Sequence, residues 1–274
     1  MSLVLNGTTG ITNLPSINSG QIGGRRNIVI NGEMKVAQRA TSATGKTGGT
    51  SGYFALDRWK LQDGTIGTAG RCTIAQIADG PAGIANCLKI SATTADTSID
   101  AREALILQTR FEGQDLQQLK KGTSSAEQVT VSFYVKGNAA ALYVCELHDV
   151  DNGRNNTQSF AVTTDWNRIE LTFAADTSDP LDDDTAVSLS LNFWLHSGAN
   201  YSGGTFASNT WADITLANTT AVANRTSIYD STNRTFFLTG VQMEIGSTAT
   251  EFEHRSFGEE YDLCKRYYYQ SYDL

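Results

Sequence analysis

One stretch of the sequence collects enough reactive side chains to raise catalysis at once. TEFEHRSFGEEYDLCKRYY, residues 250–268, places Glu251, Glu253, Glu259, Glu260 and Asp262 close to His254 and Cys264. A cysteine beside a histidine can act as nucleophile and base, and a pair of carboxylates can hydrolyse a glycoside. Spacing favours a structural reading instead. Ser256 and Glu259 have capping-box separation, with Ser256 as N-cap and Glu259 at N3. Glu259 and Glu260 then fall in a first helical turn and Lys265 and Arg266 in the last, each matching the helix dipole. Phe257, Tyr261, Cys264 and Tyr268 recur at helical spacing, which predicts one apolar stripe and a buried, protonated thiol. Residues 250–255 are expected to form a strand, with Glu251, Glu253 and Arg255 on one face. Those charges would pair across strands, between subunits, or with Arg39 or Arg58. Glutamates beside an arginine are poor material for raising a carboxylate pKa, so a glycosidase pair is not expected here.

Three further groups invite a ligand. Asp182, Asp183 and Asp184 follow Pro180 and offer oxygen donors in a row, a weak calcium candidate set against a plain solvated turn. Asp149 and Asp151 lack the rest of a calcium-loop pattern and read as a turn. The third group consists of Tyr134, Trp194, His196, Glu146 and His148. Strand alternation puts each of them opposite an apolar, core-facing neighbour. A sugar packs its CH face on an aromatic ring and satisfies its hydroxyls with polar side chains, so this set is the candidate glycan-binding face. Packing against a neighbouring subunit would explain the same rings. Trp211 and Tyr201 are weaker candidates, and Trp59 is expected in the core. No P-loop, dinucleotide fingerprint, nucleophile elbow or zincin motif occurs, and the three histidines lie far apart.

These side chains need strands to position them. VTVSFYVKG and AVSLSLNFWLHSG alternate strictly: Val129, Val131, Phe133 and Val135 face one way, and so do Val187, Leu189, Leu191, Phe193 and Leu195. In RTFFLTGVQMEIG the parity changes at Gly240, which predicts a β-bulge. NIVINGEMKVAQ reads as a hairpin turning at Asn31 and Gly32, and residues 41–52 as a flexible Gly/Ser/Thr loop. About eleven or twelve short strands predict an all-β domain of two packed sheets or a closed barrel. Residues 1–26 contain no aromatic residue and read as an extended arm needing a partner surface, with the body starting at residue 27.

Composition agrees. Only 18% of residues are charged, below the usual quarter, and Gly, Ser, Thr and Asn fill the gap. A net charge of −8 without a basic stripe argues against nucleic acid. No apolar run is long enough to cross a membrane, and the N-terminus lacks the features of a signal peptide, so cytoplasmic synthesis is expected. Cys72, Cys87, Cys145 and Cys264 lack metal-like spacing and are expected as free, buried thiols. A Cys72–Cys87 bridge across a hairpin is the alternative.

The two ends of the body resemble a module of tailed-bacteriophage and prophage tail-fibre proteins. The resemblance rests on Asn27, Asn31, Gly32, Met34, Gln38 and Arg39, then on Leu56, Asp57, Arg58 and Trp59. At the far end it rests on Gln242, Glu244, Gly246, Thr250 to Glu253, Arg255, Glu259, Glu260, Cys264, Arg266, Tyr267 and Tyr268. The middle is similar to a strand of jelly-roll carbohydrate-binding modules. The resemblance implies a jelly-roll β-sandwich over residues 27–274, with an N-terminal arm and a short C-terminal helix. It further implies a homotrimeric virion fibre that docks on other tail or baseplate proteins through residues 1–26 and adheres to a host-surface polysaccharide. It adds some weight to a structural calcium. No other cofactor, no nucleic acid, no membrane insertion and no enzymatic activity are expected. A capsid-decorating fibre and a polysaccharide depolymerase are the alternatives.

Overall fold

The computed structural model describes residues 16–17, 20–21, 25–64 and 66–271. The expected arm, residues 1–26, lies mostly outside the described residues. Within it, β1 (Ser16–Ile17) and β2 (Gly20–Gln21) pair antiparallel. The remaining strands are β3 (Ser42–Lys46), β4 (Lys60–Asp63), β5 (Arg71–Ile77), β6 (Cys87–Thr94), β7 (Ala104–Glu112), β8 (Val129–Gly137), β9 (Ala141–Asp149), β10 (Arg154–Val162), β11 (Asn167–Phe173), β12 (Val187–Ser197), β13 (Ala212–Asp213) and β14 (Thr235–Ile245). They form two six-stranded antiparallel sheets, ordered β13-β10-β9-β12-β7-β4 and β11-β8-β14-β6-β5-β3. From β6 onward the chain changes sheet at nearly every connection; the β9–β10 hairpin and the β12–β13 connection stay within the first sheet. The four-strand groups β10-β9-β12-β7 and β11-β8-β14-β6 are those of a jelly roll. The domain is therefore an all-β jelly-roll sandwich.

The alternating strands meet as their period of two dictates. Phe133 from the second sheet contacts Phe193 and Phe160 of the first edge-on, with ring centres 5.0 and 5.1 Å apart. Tyr143, Phe236 and Trp59 complete the buried aromatic layer. Such tilted pairs add about 0.5–1.5 kcal/mol each beyond their burial. The bulge falls where parity placed it: the β14–β8 register shifts between Thr239 and Gln242, and Gly240 has φ +59°. Leu238, Val241 and Met243 all stay in the core as a result.

Several local expectations are corrected. Residues 27–41 form no strand pair. Asn31 does turn the chain, at φ +59°, but its side chain then holds the carbonyls of Val36 and Asp57 at 2.8 Å. Val29, Met34 and Val36 are buried all the same: Ile28 N–H donates to the Met243 carbonyl of β14, and Asp57 N–H donates to the Val36 carbonyl. The Gly/Ser/Thr segment is not all loop, because β3 caps the edge of the second sheet. Residues 250–255 are not a strand. They run beside β14 but bond to its side chains: Thr250 N–H donates to Glu244 and Glu253 N–H to Gln242.

The C-terminal helix α2 (Phe257–Lys265) starts as spacing predicted, with Ser256 Oγ accepting from Glu259 N–H. Its predicted stripe is wrong in part. Phe257 is 59% exposed and stacks on Tyr261 at the surface, while the helix buries Glu260 and Cys264. Glu260 goes inward because it accepts from the Asn31 N–H at 2.5 Å and from Arg255 at 3.3 Å.

Candidate functional site

The outer face of the first sheet carries a groove of about 340 Å³, within the range of small-ligand sites. Its floor consists of residues that the antiparallel register places side by side. Arg110 of β7, Ser190 of β12 and His148 of β9 form one rung. Gln108, Asn192 and Glu146 form the next, and Ile106 and Trp194 a third. The long connection from β12 to β14 crosses this face, through the single-turn helix α1 (Ala199–Ser202), β13 and a 3₁₀ turn. It supplies Ile214, Leu216 and Thr219 as part of the lining, and Val150 and Val187 add further apolar surface.

The polar floor is wired in one direction. Arg110 Nε donates to Gln108 Oε1 at 2.6 Å, Gln108 Nε2 to Asn192 Oδ1 at 3.3 Å, and Asn192 Nδ2 to Glu146 Oε2 at 2.9 Å. Trp194 Nε1 and Asn155 Nδ2 also donate to Glu146, at 2.7 and 2.8 Å. Glu146 is therefore a buried carboxylate held by three neutral donors. A chain running from a cation to an anion polarises each bond in it and fixes both amide orientations. The outcome is a rigid row of hydrogen-bonding groups under an apolar rim.

Of the five predicted glycan contacts, Glu146, His148 and Trp194 come together here. Trp194 is not the exposed platform that alternation implied. Tyr201 of α1 packs on it at 5.2 Å between ring centres, and only 7% of it remains exposed. His196 is withdrawn altogether. The same connection covers it, with Ser227 Oγ 2.7 Å from Nδ1, Glu103 3.4 Å from Nε2 and the Tyr229 ring alongside. Burial pushes its imidazole down to about 4. Tyr134 lies on β8 in the other sheet, opposite Thr239 and Arg168, so it shares no face with the rest.

The other candidates sit apart from the groove. Asp182, Asp183 and Asp184 are exposed, and Asp184 caps its own turn through the Ala186 N–H. Among the described residues, no three His, Cys, Asp or Glu side chains converge as metal ligands would. Asp149 is fully buried against Lys121, at 2.6 Å, which also meets Asp176 at 3.1 Å. All four cysteines are free and buried. Cys72 faces Ala92, at the far end of the hairpin from Cys87, so the two cannot bridge. Burial raises the Cys72 thiol to about 11 and the Cys87 thiol to about 12, and it pushes Cys264 up as well.

Six residues of the two end motifs, Arg39, Asp57, Arg58, Cys264, Tyr267 and Tyr268, meet around a smaller cavity of about 140 Å³. Arg39 stacks on the Tyr268 ring at 3.5 Å and Arg58 on Tyr267 at 3.4 Å. Arg39 also pairs with Asp57, and Arg266 with Glu112. Arg266, Tyr267 and Tyr268 thus clamp the end of the domain onto earlier segments of the chain. Glu253 accepts from the Asn27 N–H at 2.6 Å, which likewise ties the end of the body to its start.

No protein-family model and no curated protein matches the sequence. Solved structures similar to this chain include a family 11 carbohydrate-binding module of a cellulosomal cellulase from Clostridium thermocellum. It has 13% identity and a TM-score of 0.36, over 76% of this chain and 99% of that one. A family 4 module shows 13% identity and a TM-score of 0.38, over 78% and 97%. The enzymatically active domain of tailspike protein 4 from bacteriophage CBA120 shows 12% identity and a TM-score of 0.35, over 69% of this chain and 19% of that one.

The groove also contains residues that sequence reasoning did not single out. Gln108 and Arg110 were legible, since ALILQTRFE alternates them with Leu107, Thr109 and Phe111. Ile214, Leu216 and Thr219 belong to a connection without periodicity, and no local signal placed them.

Proposed function

We propose that this protein binds a glycan in the groove on the outer face of its first sheet, as an adhesive fibre component of a tailed bacteriophage, and does not cleave it. The observation that carries the reading is the oriented chain from Arg110 through Gln108 and Asn192 to Glu146, set beneath an apolar rim. Sugars present hydroxyls and CH patches together, and a fixed polar row beside apolar surface complements both. Binding without turnover is favoured because, among the described residues, Glu146 is the one carboxylate lining the groove, and its oxygens are already engaged. Hydrolysis by retention or inversion needs two. Weak single sites would suffice on a fibre, since several copies multiply avidity.

The fibre assignment is supported by the motif residues of the two chain ends, which clamp one another as parts of one module. A homotrimer held or docked through residues 1–26 follows from the same resemblance, and so does residence in the virion. Calorimetric titration with bacterial surface polysaccharides tests the groove. Asn192→Ala and Gln108→Ala should each weaken binding about tenfold or more; affinity unchanged in both would remove the groove from consideration. Sustained release of reducing ends from the same polysaccharides would overturn the non-enzymatic reading. Sedimentation of the full chain and of one lacking residues 1–26 tests assembly: monomers in both cases at micromolar concentration rule out the trimer.

A further inference from the structure

The groove contains more hydrogen-bonding capacity than the protein itself uses. Arg110 spends Nε on Gln108 and its main-chain carbonyl on Arg58, which leaves the outer edge of the guanidinium, the two Nη groups, without a protein acceptor among the described residues. Lys60 stands beside it, as the cross-strand neighbour of Gln108, and among the described residues donates only to Gln62. Partial burial pushes the Lys60 ammonium down, and the nearby Arg110 charge adds to the effect. Among the described residues, no carboxylate lies within ion-pair distance of either. Glu146 does not neutralise them directly, because two amides intervene and neutral donors surround it. Thr219 lines the same groove with its Oγ1 buried and without a partner among the described residues. A buried hydroxyl in that state costs stability unless a ligand or a water completes it.

These features sit on a chain of net charge −8, which repels anions at long range. A local pair of unpaired cations on such a chain therefore needs its own explanation. Building on the glycan reading of the groove, we propose that it selects an acidic sugar, a uronic-acid residue whose carboxylate docks on the Nη edge of Arg110. Guanidinium and carboxylate match as a two-pronged, charge-assisted pair. The carboxylate supplies the countercharge absent from the groove, Lys60 adds attraction from the neighbouring strand, and Thr219 takes a sugar hydroxyl.

The test compares polygalacturonate, alginate and hyaluronan, each with its own carboxyl-reduced form, and adds a neutral β-glucan. The expected result is at least one acidic polymer bound about tenfold more tightly than its reduced counterpart, with the preference shrinking as salt rises. Arg110→Gln should bring the acidic-to-reduced ratio close to one. Arg110→Lys should restore part of it, because the charge returns without the fork; thermal melts of both variants check that they fold. Equal binding of acidic and reduced forms, or binding of neutral polymers alone, overturns the inference and leaves the glycan-binding reading standing. Binding of neither class overturns that reading as well.

Discussion

Glu146 shows how much one side chain can organise. Its carboxylate takes donors from Asn155 on β10 and from Asn192 and Trp194 on β12, the two strands that flank β9. Glu146→Gln replaces an acceptor with an amide that must set a donor against one of those donors. It should cost about 1–3 kcal/mol in chemical denaturation and weaken glycan binding alongside. His196 gives a pH prediction. Its imidazole is held neutral, at about 4 against 6.5 when exposed, by burial beside Glu103, Tyr229 and Arg225. Between pH 6.5 and 4 the unfolded chain binds the extra proton, so stability is full above that window and falls as pH drops through it. Burial raises the Glu103 carboxyl and works in the opposite sense, so the comparison must be made within a pair of proteins. Relative to His196→Gln, the parent should lose stability on acidification from pH 6.5 to pH 4, by up to about 3 kcal/mol. Parallel pH profiles of melting temperature for the two proteins would refute this.

The bulge on β14 and the cap of α2 act at the scale of single elements. Gly240 is at φ +59°, and a Cβ there would stand 2.8 Å from Ile84 Cδ1 and 2.9 Å from Tyr134 Cδ2. Gly240→Ala should therefore destabilise by about 1–3 kcal/mol, combining backbone strain with the clash. It should leave the groove intact, since the bulge lies in the other sheet. Ser256→Ala removes the acceptor of the Glu259 N–H and should cost about 1 kcal/mol. Urea unfolding measures both. These two features were readable from local spacing, because a bulge and a cap each involve only a few consecutive residues. The strand assigned to residues 250–255 was not. Its alternation is real, but its backbone N–H groups bond to the side chains of Gln242 and Glu244 rather than to a neighbouring backbone.

At the scale of the molecule, the terminal helix holds the two ends of the sandwich together. Glu260 fixes Asn31, the Tyr267 and Tyr268 rings lie on Arg58 and Arg39, and Arg266 reaches Glu112 on β7. A chain ending at residue 256 would lose all of these and expose the buried guanidinium of Arg58. Its melting temperature should fall by roughly 10 °C or more, and a smaller change in calorimetry would show that the clamp is decorative. The cysteine that first pointed to catalysis there should stay unmodified by thiol reagents until the protein unfolds, as its burial requires.

By itself, the sequence determined the class of fold, the inward and outward faces of the long strands, the bulge at Gly240, the cap at Ser256 and the structural role of Cys264. Each follows from a period or a spacing that the backbone imposes over a few residues. Only the tertiary structure decided which outward faces share a site. It put Tyr134 on one sheet and Glu146, His148 and Trp194 on the other. It buried His196 beneath the connection from β12 to β14, and it carried Thr219 and Leu216 into the groove from that same connection. Sheet membership, register between distant strands and the path of a long loop are non-local. They are settled by packing among segments far apart in the chain, and no local pattern encodes them.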